Sequence, residues 1–139
     1  MKSTIMRSGK YEPIRELCEG REVLDVGCVG DYTNIEDIHN NLFVRLNKNA
    51  DVFGIDINDE GIKFLLNAGF NCMLLNAEHI EELNHSPFDV ILLGDILEHM
   101  PDPRHFLVTL RRFLRPDGFI ICSTPNVMNY LNTLSMFLH

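Results

Sequence analysis

The chain has 139 residues, 45% of them hydrophobic, and a formal net charge of -8. This length is enough for one core and too short for two ordinary domains, so we expect a single domain over residues 1–139. The negative charge argues against nucleic acid as a partner, since phosphate binding draws its affinity from a basic surface.

The lengths of the apolar runs and the spacing of the cysteines further limit the possible classes of protein. No run approaches the length of a membrane span, and the opening residues MKSTIMRSGK lack the apolar core of a signal peptide. The four cysteines are far apart and include no C-x-x-C pair, which indicates reduced thiols rather than a zinc site or disulfides. We therefore expect a soluble cytoplasmic protein.

From residue 20 onward, short apolar runs typical of buried parallel strands alternate with longer segments of helical spacing. Such an alternation predicts an α/β sheet. The expected strands are Val23–Val26, Val52–Ile55, Cys72–Leu75, Val90–Leu93 and Phe119–Ser123.

The first three helices have recognisable starts. A leading helix is expected at Tyr11–Cys18, with Ile14, Leu17 and Cys18 on one face. Thr33-x-x-Glu36 is typical of a capping box, and the helix it opens has the apolar positions Ile35, Ile38, Leu42, Phe43 and Leu46. Asn58 should cap the next helix, which ends before Gly69 and turns inward Ile62, Leu65 and Leu66.

The clearest start signal is Pro101-Asp102-Pro103, with Asp102 as N-cap and Pro103 at the first helical position. The apolar positions that follow are Phe106, Leu107, Leu110, Phe113 and Leu114. The cationic cluster of Arg111, Arg112 and Arg115 suits the end of this helix, where the dipole favours positive charge. Arg115-Pro116-Asp117-Gly118 then predicts a turn into the fifth strand.

The remaining residues, TPNVMNYLNTLSMFLH, predict one last helix with Val127, Leu131, Leu134 and Leu138 aligned. The sheet would then stop at five strands and leave Phe119–Cys122 as an apolar edge, which proteins seldom expose. Three explanations stay open. The last helix covers the edge, a second copy of the chain covers it, or the chain is a fragment of a longer domain.

The stretch VLDVGCVGD, residues 23–31, is the candidate binding loop, because ligands of doubly wound sheets lie past the carboxyl ends of the strands where the strand order reverses. A dinucleotide site needs G-x-G-x-x-G, whereas Val29 and Tyr32 stand where the second and third glycines belong. Asp25 and Asp31 also oppose a pyrophosphate, which argues against a nicotinamide-dependent oxidoreductase. These carboxylates suit a cationic ligand without phosphate, such as S-adenosylmethionine.

Polar side chains also follow the second and third strands. Asp56 is placed to accept both ribose hydroxyls of a nucleoside. The alternative, that it caps a helix, is weaker because Asn58 is better placed for that role. Asn76 follows the third strand, near where an adenine edge would lie.

The chain resembles the class I, Rossmann-like S-adenosylmethionine-dependent methyltransferases from about Tyr11 to Asn126. The matching segments, in the family's order, are VLDVGC, VFGIDIN, LLNAEHI, FDVILLGDILEHMPDP and LRRFLRPDGFIICSTPN. The resemblance implies a doubly wound, mostly parallel sheet that has five strands here and lacks the last two of the family's seven. It therefore implies a domain that is incomplete at its C-terminal end.

DILEH and TPN are most similar to the subgroup that includes ubiquinone-biosynthesis O-methyltransferases and methyltransferases of sugar and cell-surface pathways. The resemblance implies S-adenosylmethionine as cofactor, S-adenosylhomocysteine as product and a small-molecule or sugar-linked acceptor. The cofactor-binding residues it implies are Asp25, Gly27, Cys28, Val29, Gly30, Asp56, Ile57, Asn76, Ala77, Glu78 and Gly94. Among these, Asp25 and Gly27 would line the methionine end, and Gly94 would close the pocket after the fourth strand.

The loop departs from the family's G-C-G-x-G, since valine and aspartate replace the second and third glycines. We expect the Val29 side chain to point away from the cofactor, and Gly30 to adopt the unusual backbone angles one residue later.

Methyl transfer needs mainly a well-placed acceptor in a dry pocket, because the sulfonium is already a good leaving group. Asp95, Glu98 and His99 follow the fourth strand at spacings that share one helical face, and they are the candidate base and acceptor contacts. A divalent metal at these residues is an alternative, and so is a capping box with no chemical role. A cofactor-binding module or regulatory domain without activity is the alternative function.

Overall fold

Five short parallel strands and one antiparallel strand form a single sheet in a computed structural model that describes residues 11–30, 40–123 and 134–136. The strands are β1 (Glu22–Val26), β2 (Asp51–Asp56), β3 (Cys72–Leu74), β4 (Phe88–Gly94), β5 (Leu114–Ser123) and β6 (Leu134–Met136). The helices are α1 (Glu12–Cys18), α2 (Leu42–Leu46), α3 (Asp59–Asn67) and α4 (Pro103–Leu110). Short 3-10 helices occur at Ala77–Glu82, Leu97–His99 and Arg111–Phe113.

The strand order is β3-β2-β1-β4-β5-β6, and the predicted α/β fold with its five parallel strands is confirmed. Strand β1 pairs with β2 on one side and with β4 on the other, so the order reverses beside β1. This reversal creates the crevice where open α/β sheets bind ligands. The loop after β1 therefore lies at the expected position.

Each face of the sheet carries its own apolar core, as expected for strands buried on both sides. One core includes Val23 and Val52, with Phe43 and Leu65 from the helices α2 and α3. The other includes Leu24 on the opposite side of β1, and it packs against Phe106, Leu110 and neighbouring side chains of α4. Alternating side chains of one strand thus join the two helical layers.

The predicted last helix is wrong for residues 134–136, which form β6 antiparallel to Ile120–Cys122. This pairing satisfies backbone groups that the predicted five-stranded sheet would leave at the edge of β5. An edge strand competes with helical periodicity, and the apolar spacing alone could not decide between them. Val127, Leu131 and Leu138 lie outside the described residues. The part of β5 that pairs with β6 is therefore not an exposed edge to which a second copy of the chain could bind.

The expected caps of α3 and α4 are confirmed. The Asn58 side chain accepts a hydrogen bond from Gly61 N at 2.9 Å, and the Asp102 side chain accepts one from His105 N at 2.9 Å. The inward assignment of Leu66 is wrong, because this residue is 48% exposed, and Leu17 on the expected face of α1 is 43% exposed. Each lies at the margin of its helix's apolar stripe, where one residue of rotation decides between core and solvent.

Helix α2 also begins later than predicted. Asn41 has an extended backbone (φ -63°, ψ 135°) and caps a new helix, so a continuous helix through Leu46 is wrong at this position. The predicted capping box of Thr33 and Glu36 lies outside the described residues. The inner positions Phe43 and Leu46 are buried as expected.

The predicted turn at residues 115–118 is a bulge within β5. Phe88 pairs with Leu114 and Val90 pairs with Phe119, so the extra residues of β5 stand opposite Asp89 alone. Arg115 bonds Asp89 at 2.8 Å and also contacts Glu22. The pKa of Asp89 is lowered first by the Glu22 N–H group and then by Arg115. Arg115 therefore joins three strands rather than ending a helix.

All four cysteines are buried and unbridged, in agreement with the expected reduced thiols. Burial raises the pKa of Cys18 to about 12, so this thiol is protonated at neutral pH. Within the three described ranges, no helix combines the length and apolar character required for a membrane crossing.

Gly54 in β2 tests how tightly the core under the binding loop is packed. A Cβ atom there would lie 2.6 Å from Cys28 Sγ and 2.7 Å from a Phe43 ring carbon. Gly54→Ala should lower the free energy of unfolding by about 1–3 kcal/mol, measured by urea denaturation, because the overpacked core must shift.

The matched control is Gly94→Ala at the end of β4, where a Cβ would meet only Ser123 Oγ at 3.9 Å. Its effect should stay within about 0.5 kcal/mol. Equal destabilisation by the two substitutions would contradict the packing described for Gly54.

Candidate functional site

The loops after β1, β2 and β4 meet at one edge of the sheet. Val26 pairs with Ile55 and with Leu93, so the carboxyl ends of these strands are level with one another. Asp56 pairs with Leu74, which brings the end of β3 to the same edge. The structure thus brings together the predicted residues that follow four different strands.

The loop of residues 27–30, called the glycine loop below, uses all of its N–H groups inside the protein. Gly27 N and Cys28 N donate to Ile55 O at 2.8 and 3.1 Å. Gly30 N donates to Gly27 O at 3.1 Å, and Val29 N donates to the Asp56 carboxylate at 2.9 Å. No amide of this loop is left to bind a ligand anion.

This arrangement strengthens the case against a dinucleotide. Phosphate sites at the start of a helix depend on N–H groups that point at the ligand. Here the corresponding groups are engaged, and the Asp56 carboxylate adds negative charge beside the loop. Asp31, the other predicted acid, lies outside the described residues.

Asp56 has both carboxylate oxygens engaged by the backbone. One oxygen accepts from Val29 N and the other accepts from Asn58 N, each at 2.9 Å. The helix cap is Asn58, as the sequence indicated. A carboxylate has about four acceptor positions, so Asp56 keeps capacity for two more donors.

Val29 is 2% exposed, and its side chain packs against Gly61 in the first turn of α3. A Cβ at Gly61 would overlap Val29 Cγ1 and lie 2.8 Å from Cγ2. The side chain of Val29 is therefore turned into the protein, as expected. Gly27 and Gly30 have φ values of 86° and 64°, which confirms the expected unusual conformation at Gly30.

Asn41 is a residue of this site that the sequence interpretation missed. It is 3% exposed, and its Nδ2 donates to Cys28 O at 2.9 Å and to Val29 O at 3.2 Å. Its Oδ1 accepts from Phe43 N at 2.8 Å. Asparagine directly before the apolar residues LFV is an N-cap signal, and this signal could have revealed the break before α2.

Asp25 lies beneath the glycine loop and is 7% exposed. Burial, and secondly the charge of Asp56, raises its pKa to about 7. Among the described residues, none donates a hydrogen bond to its carboxyl group. Asp25 belongs to β1 near the edge where the strand order reverses, and this position makes it a candidate contact for a ligand cation.

The residues after β2 and β3 form the next part of the edge. Ile57 is 70% exposed, which places an apolar side chain next to the Asp56 carboxylate. Asn76 accepts from Glu78 N at 3.0 Å and so caps the 3-10 helix Ala77–Glu82. Asn76 and Glu78 are exposed, whereas Ala77 is buried.

The residues after β4 do not form the predicted shared face. Asp95 has a φ of 55°, and its N–H donates to Ser123 O at 2.8 Å. The 3-10 helix Leu97–His99 starts from Ile96, so a capping box at Asp95 is not formed. Asp95 lies outside this 3-10 helix and has a left-handed backbone, so the three residues, all of them exposed, do not belong to one helix.

The described part of the chain gives no support to the alternative of a divalent metal site. It contains no group of three histidine, cysteine, aspartate or glutamate side chains that could hold an ion. Gly94, before the unusual backbone at Asp95, is exposed and faces open space. An unusual backbone of this kind is common at functional sites.

The fold and the loop together define a Rossmann-like α/β protein with a candidate ligand site where the strand order reverses. Residues 17–136 match the family described as "Methyltransferase domain". The chain therefore belongs to this family, and the resemblance to class I S-adenosylmethionine-dependent methyltransferases is confirmed.

Curated relatives agree with this assignment. The chain is 33% identical over 114 residues to a ubiquinone biosynthesis O-methyltransferase of Maricaulis maris, a match that covers 78% of this chain and 42% of that protein. It is 29% identical to the enzyme of the same name from Bordetella avium, over 84% of this chain and 49% of that protein. The chain thus spans about half the length of these relatives.

Solved structures show the same fold. N-methyltransferase NodS from Bradyrhizobium japonicum aligns with a TM-score of 0.67 at 13% identity, over 90% of this chain and 71% of that one. A SAM-dependent methyltransferase from Archaeoglobus fulgidus aligns with a TM-score of 0.63 at 24% identity, over 88% and 53%.

The raised pKa of Asp25 predicts a pH-dependent stability. Between its ordinary value of 3.8 and about 7, the folded protein holds a proton that the unfolded chain releases. Stability from this group is therefore present at low pH and lost as the pH rises to about 7. Asp25→Asn should raise the Tm by about 5 °C or more at pH 8, and by much less at pH 4.

Differential scanning fluorimetry at the two pH values measures this effect. Asp51→Asn on the neighbouring strand is the control, because Asp51 is exposed and its loss should change the Tm little at either pH. An equal Tm shift at pH 4 and pH 8 for Asp25→Asn would contradict the buried, protonated carboxyl.

Proposed function

We propose that this chain binds S-adenosylmethionine at the glycine loop and transfers its methyl group to a small-molecule acceptor. The observation that carries the proposal is the loop itself, whose N–H groups are all engaged internally and which lies between the carboxyl groups of Asp25 and Asp56. Such a site suits a cation and opposes a phosphate. Membership in the methyltransferase family supports the same function.

The residues present fit the cofactor. Asp25 is a buried carboxyl without a hydrogen-bond donor among the described residues, and it suits the ammonium of the methionine end. Asp56 has acceptor capacity for the ribose hydroxyls. The exposed side chain of Ile57 offers apolar contact for adenine, and Asn76 with Ala77 and Glu78 borders the same region.

When bound, S-adenosylmethionine supplies a methyl group on a sulfonium centre. The protein's own contribution is to orient the acceptor and to exclude water, since orientation accounts for much of the rate in such a reaction. Asp95, Glu98 and His99 are the groups after β4 that would take the proton of an acceptor hydroxyl or amine. Gly94 leaves room for the acceptor beside them.

A small-molecule acceptor is proposed because the relatives named above are ubiquinone biosynthesis O-methyltransferases. A hydroxyl acceptor is therefore the first to test, and sugar-linked acceptors are the second. The net charge of -8 supports the absence of a nucleic-acid partner. The buried, unbridged cysteines support a reducing compartment such as the cytoplasm.

One observation favours a second candidate, a cofactor-binding module without turnover. Asp95, Glu98 and His99 are exposed, and their side chains are not aligned by one helix. A protein of this kind would bind the cofactor and leave the acceptor chemistry to a partner.

Calorimetric titration of the full chain with S-adenosylmethionine, S-adenosylhomocysteine and NAD tests the proposed site. We expect heat from both sulfur nucleosides and none from NAD. A folded sample that binds neither sulfur nucleoside would overturn both candidate functions. Transfer of a labelled methyl group to a panel of phenolic and sugar-linked small molecules then separates the enzyme from the module.

Asp56→Ala tests the ribose contact. It removes the acceptor for the proposed ribose hydroxyls and for Val29 N, so the affinity for S-adenosylhomocysteine should fall by about 30-fold or more. Asp59→Ala is the matched control, because it removes the same charge from an exposed ion pair with Lys63. The control should change the affinity by less than about threefold. An unchanged affinity in Asp56→Ala would show that the ribose lies elsewhere.

A further inference from the structure

We propose that Gly61, in the first turn of α3, is a positioning residue for the glycine loop, and that it acts through Val29. This inference rests on the proposed cofactor site. Gly61 is half-buried and faces the loop through the side chain of Val29. Its role is to leave space.

The contact between the two residues is close. Three atoms of the Val29 side chain would meet a Cβ at Gly61, with Cγ2 at 2.8 Å and Cβ at 3.1 Å. Valine is branched at Cβ, which restricts its χ1 angle, so it cannot turn aside easily. An added methyl group at Gly61 must therefore displace either the loop or the helix.

The helix is the less mobile partner in this contact. Gly61 N donates to Asn58 Oδ1 at 2.9 Å, and Asn58 N in turn donates to Asp56 Oδ1 at 2.9 Å. The next inward residues of α3, Ile62 and Leu65, are at most 2% exposed in the core. Displacement therefore falls on Val29 and the glycine loop.

Val29 is held at its three available groups. Its N–H donates to Asp56 Oδ2 at 2.9 Å, its carbonyl accepts from Asn41 Nδ2 at 3.2 Å, and its side chain packs at Gly61. A push on the side chain is transmitted to the N–H group and so to the carboxylate proposed to bind ribose. Gly61 thus sets the geometry of Asp56 and of the loop without touching the ligand.

The arrangement also explains how the chain accommodates valine in a loop position where the family has glycine. The glycine is present on the facing helix instead, so the combined volume of the two positions stays small. We infer that positions 29 and 61 form a size-complementary pair, in which a larger residue at position 61 requires a smaller one at position 29.

A double-mutant cycle tests this coupling with Gly61→Ala, Val29→Ala and the double variant, all in the full chain. Gly61→Ala should weaken the binding of S-adenosylhomocysteine by about tenfold or more. Val29→Ala is the second background, because it removes the Cγ1 and Cγ2 atoms that the added Cβ would meet. The double variant should bind within about threefold of Val29→Ala, because the space needed by the new methyl group is restored.

Gly69→Ala is the matched control in the same segment. Gly69 has a φ of 89° and no atom within 4 Å of an added Cβ, so its substitution strains the end of α3 without touching the loop. It should lower the Tm and leave the affinity unchanged. If Gly61 affected only the stability of the helix, Gly61→Ala would likewise lower the Tm and leave the affinity unchanged. Alanine is the better helix former, which argues against such a role.

Amide hydrogen exchange followed by NMR gives a readout that does not depend on the cofactor. Exchange of the residue 29 N–H should become about tenfold faster in Gly61→Ala and return towards the wild-type rate in the double variant. The inference would be overturned if Gly61→Ala changed the exchange rate equally with valine and with alanine at position 29, or changed it with neither. If the exchange rates change as expected but the wild type binds no nucleoside, the proposed function is overturned and the positioning role of Gly61 is supported.

Discussion

The carboxylate of Asp56 accepts the N–H groups of Val29 and Asn58, and these two hydrogen bonds join the loop after β1 to the loop after β2. Both loops emerge from neighbouring parallel strands, so their ends are level, and a single acidic side chain can reach both. The other supports of the site depend on this link. Asn41 donates to two carbonyl groups of the glycine loop, and the side chain of Val29 in this loop packs against Gly61.

This construction explains why the loop keeps its shape with valine at position 29, where the resemblance implies a glycine. The backbone needs positive φ only at Gly27 and Gly30, and both are glycines. Position 29 needs no such freedom, provided that its side chain has space on the protein side. The relevant property of the loop is therefore the direction of its backbone groups, and the number of glycines is a weaker guide to it.

Local signals predicted the strands and most caps, because these depend on a few adjacent residues. The five parallel strands, the cap at Asn58 and the cap at Asp102 were all readable in this way. Contacts between distant segments were not readable. Nothing near Val29 in the sequence points to Gly61, and nothing near Leu134 indicates pairing with Cys122. The positions of candidate site residues followed from topology, whereas the hydrogen bonds that fix them did not.

The electrostatics of the site extend this reasoning to ligand choice. Burial, and secondly the charge of Asp56, raises the cost of ionising Asp25, whose pKa rises to about 7. Bringing an anion to such a site would increase the cost further, and no loop amide is free to offset it. A cation instead pairs with the ionised form of Asp25 and lowers its pKa again. Binding of a cationic ligand would therefore release a proton below neutral pH, so the preference for a cation is a consequence of how the acids are buried.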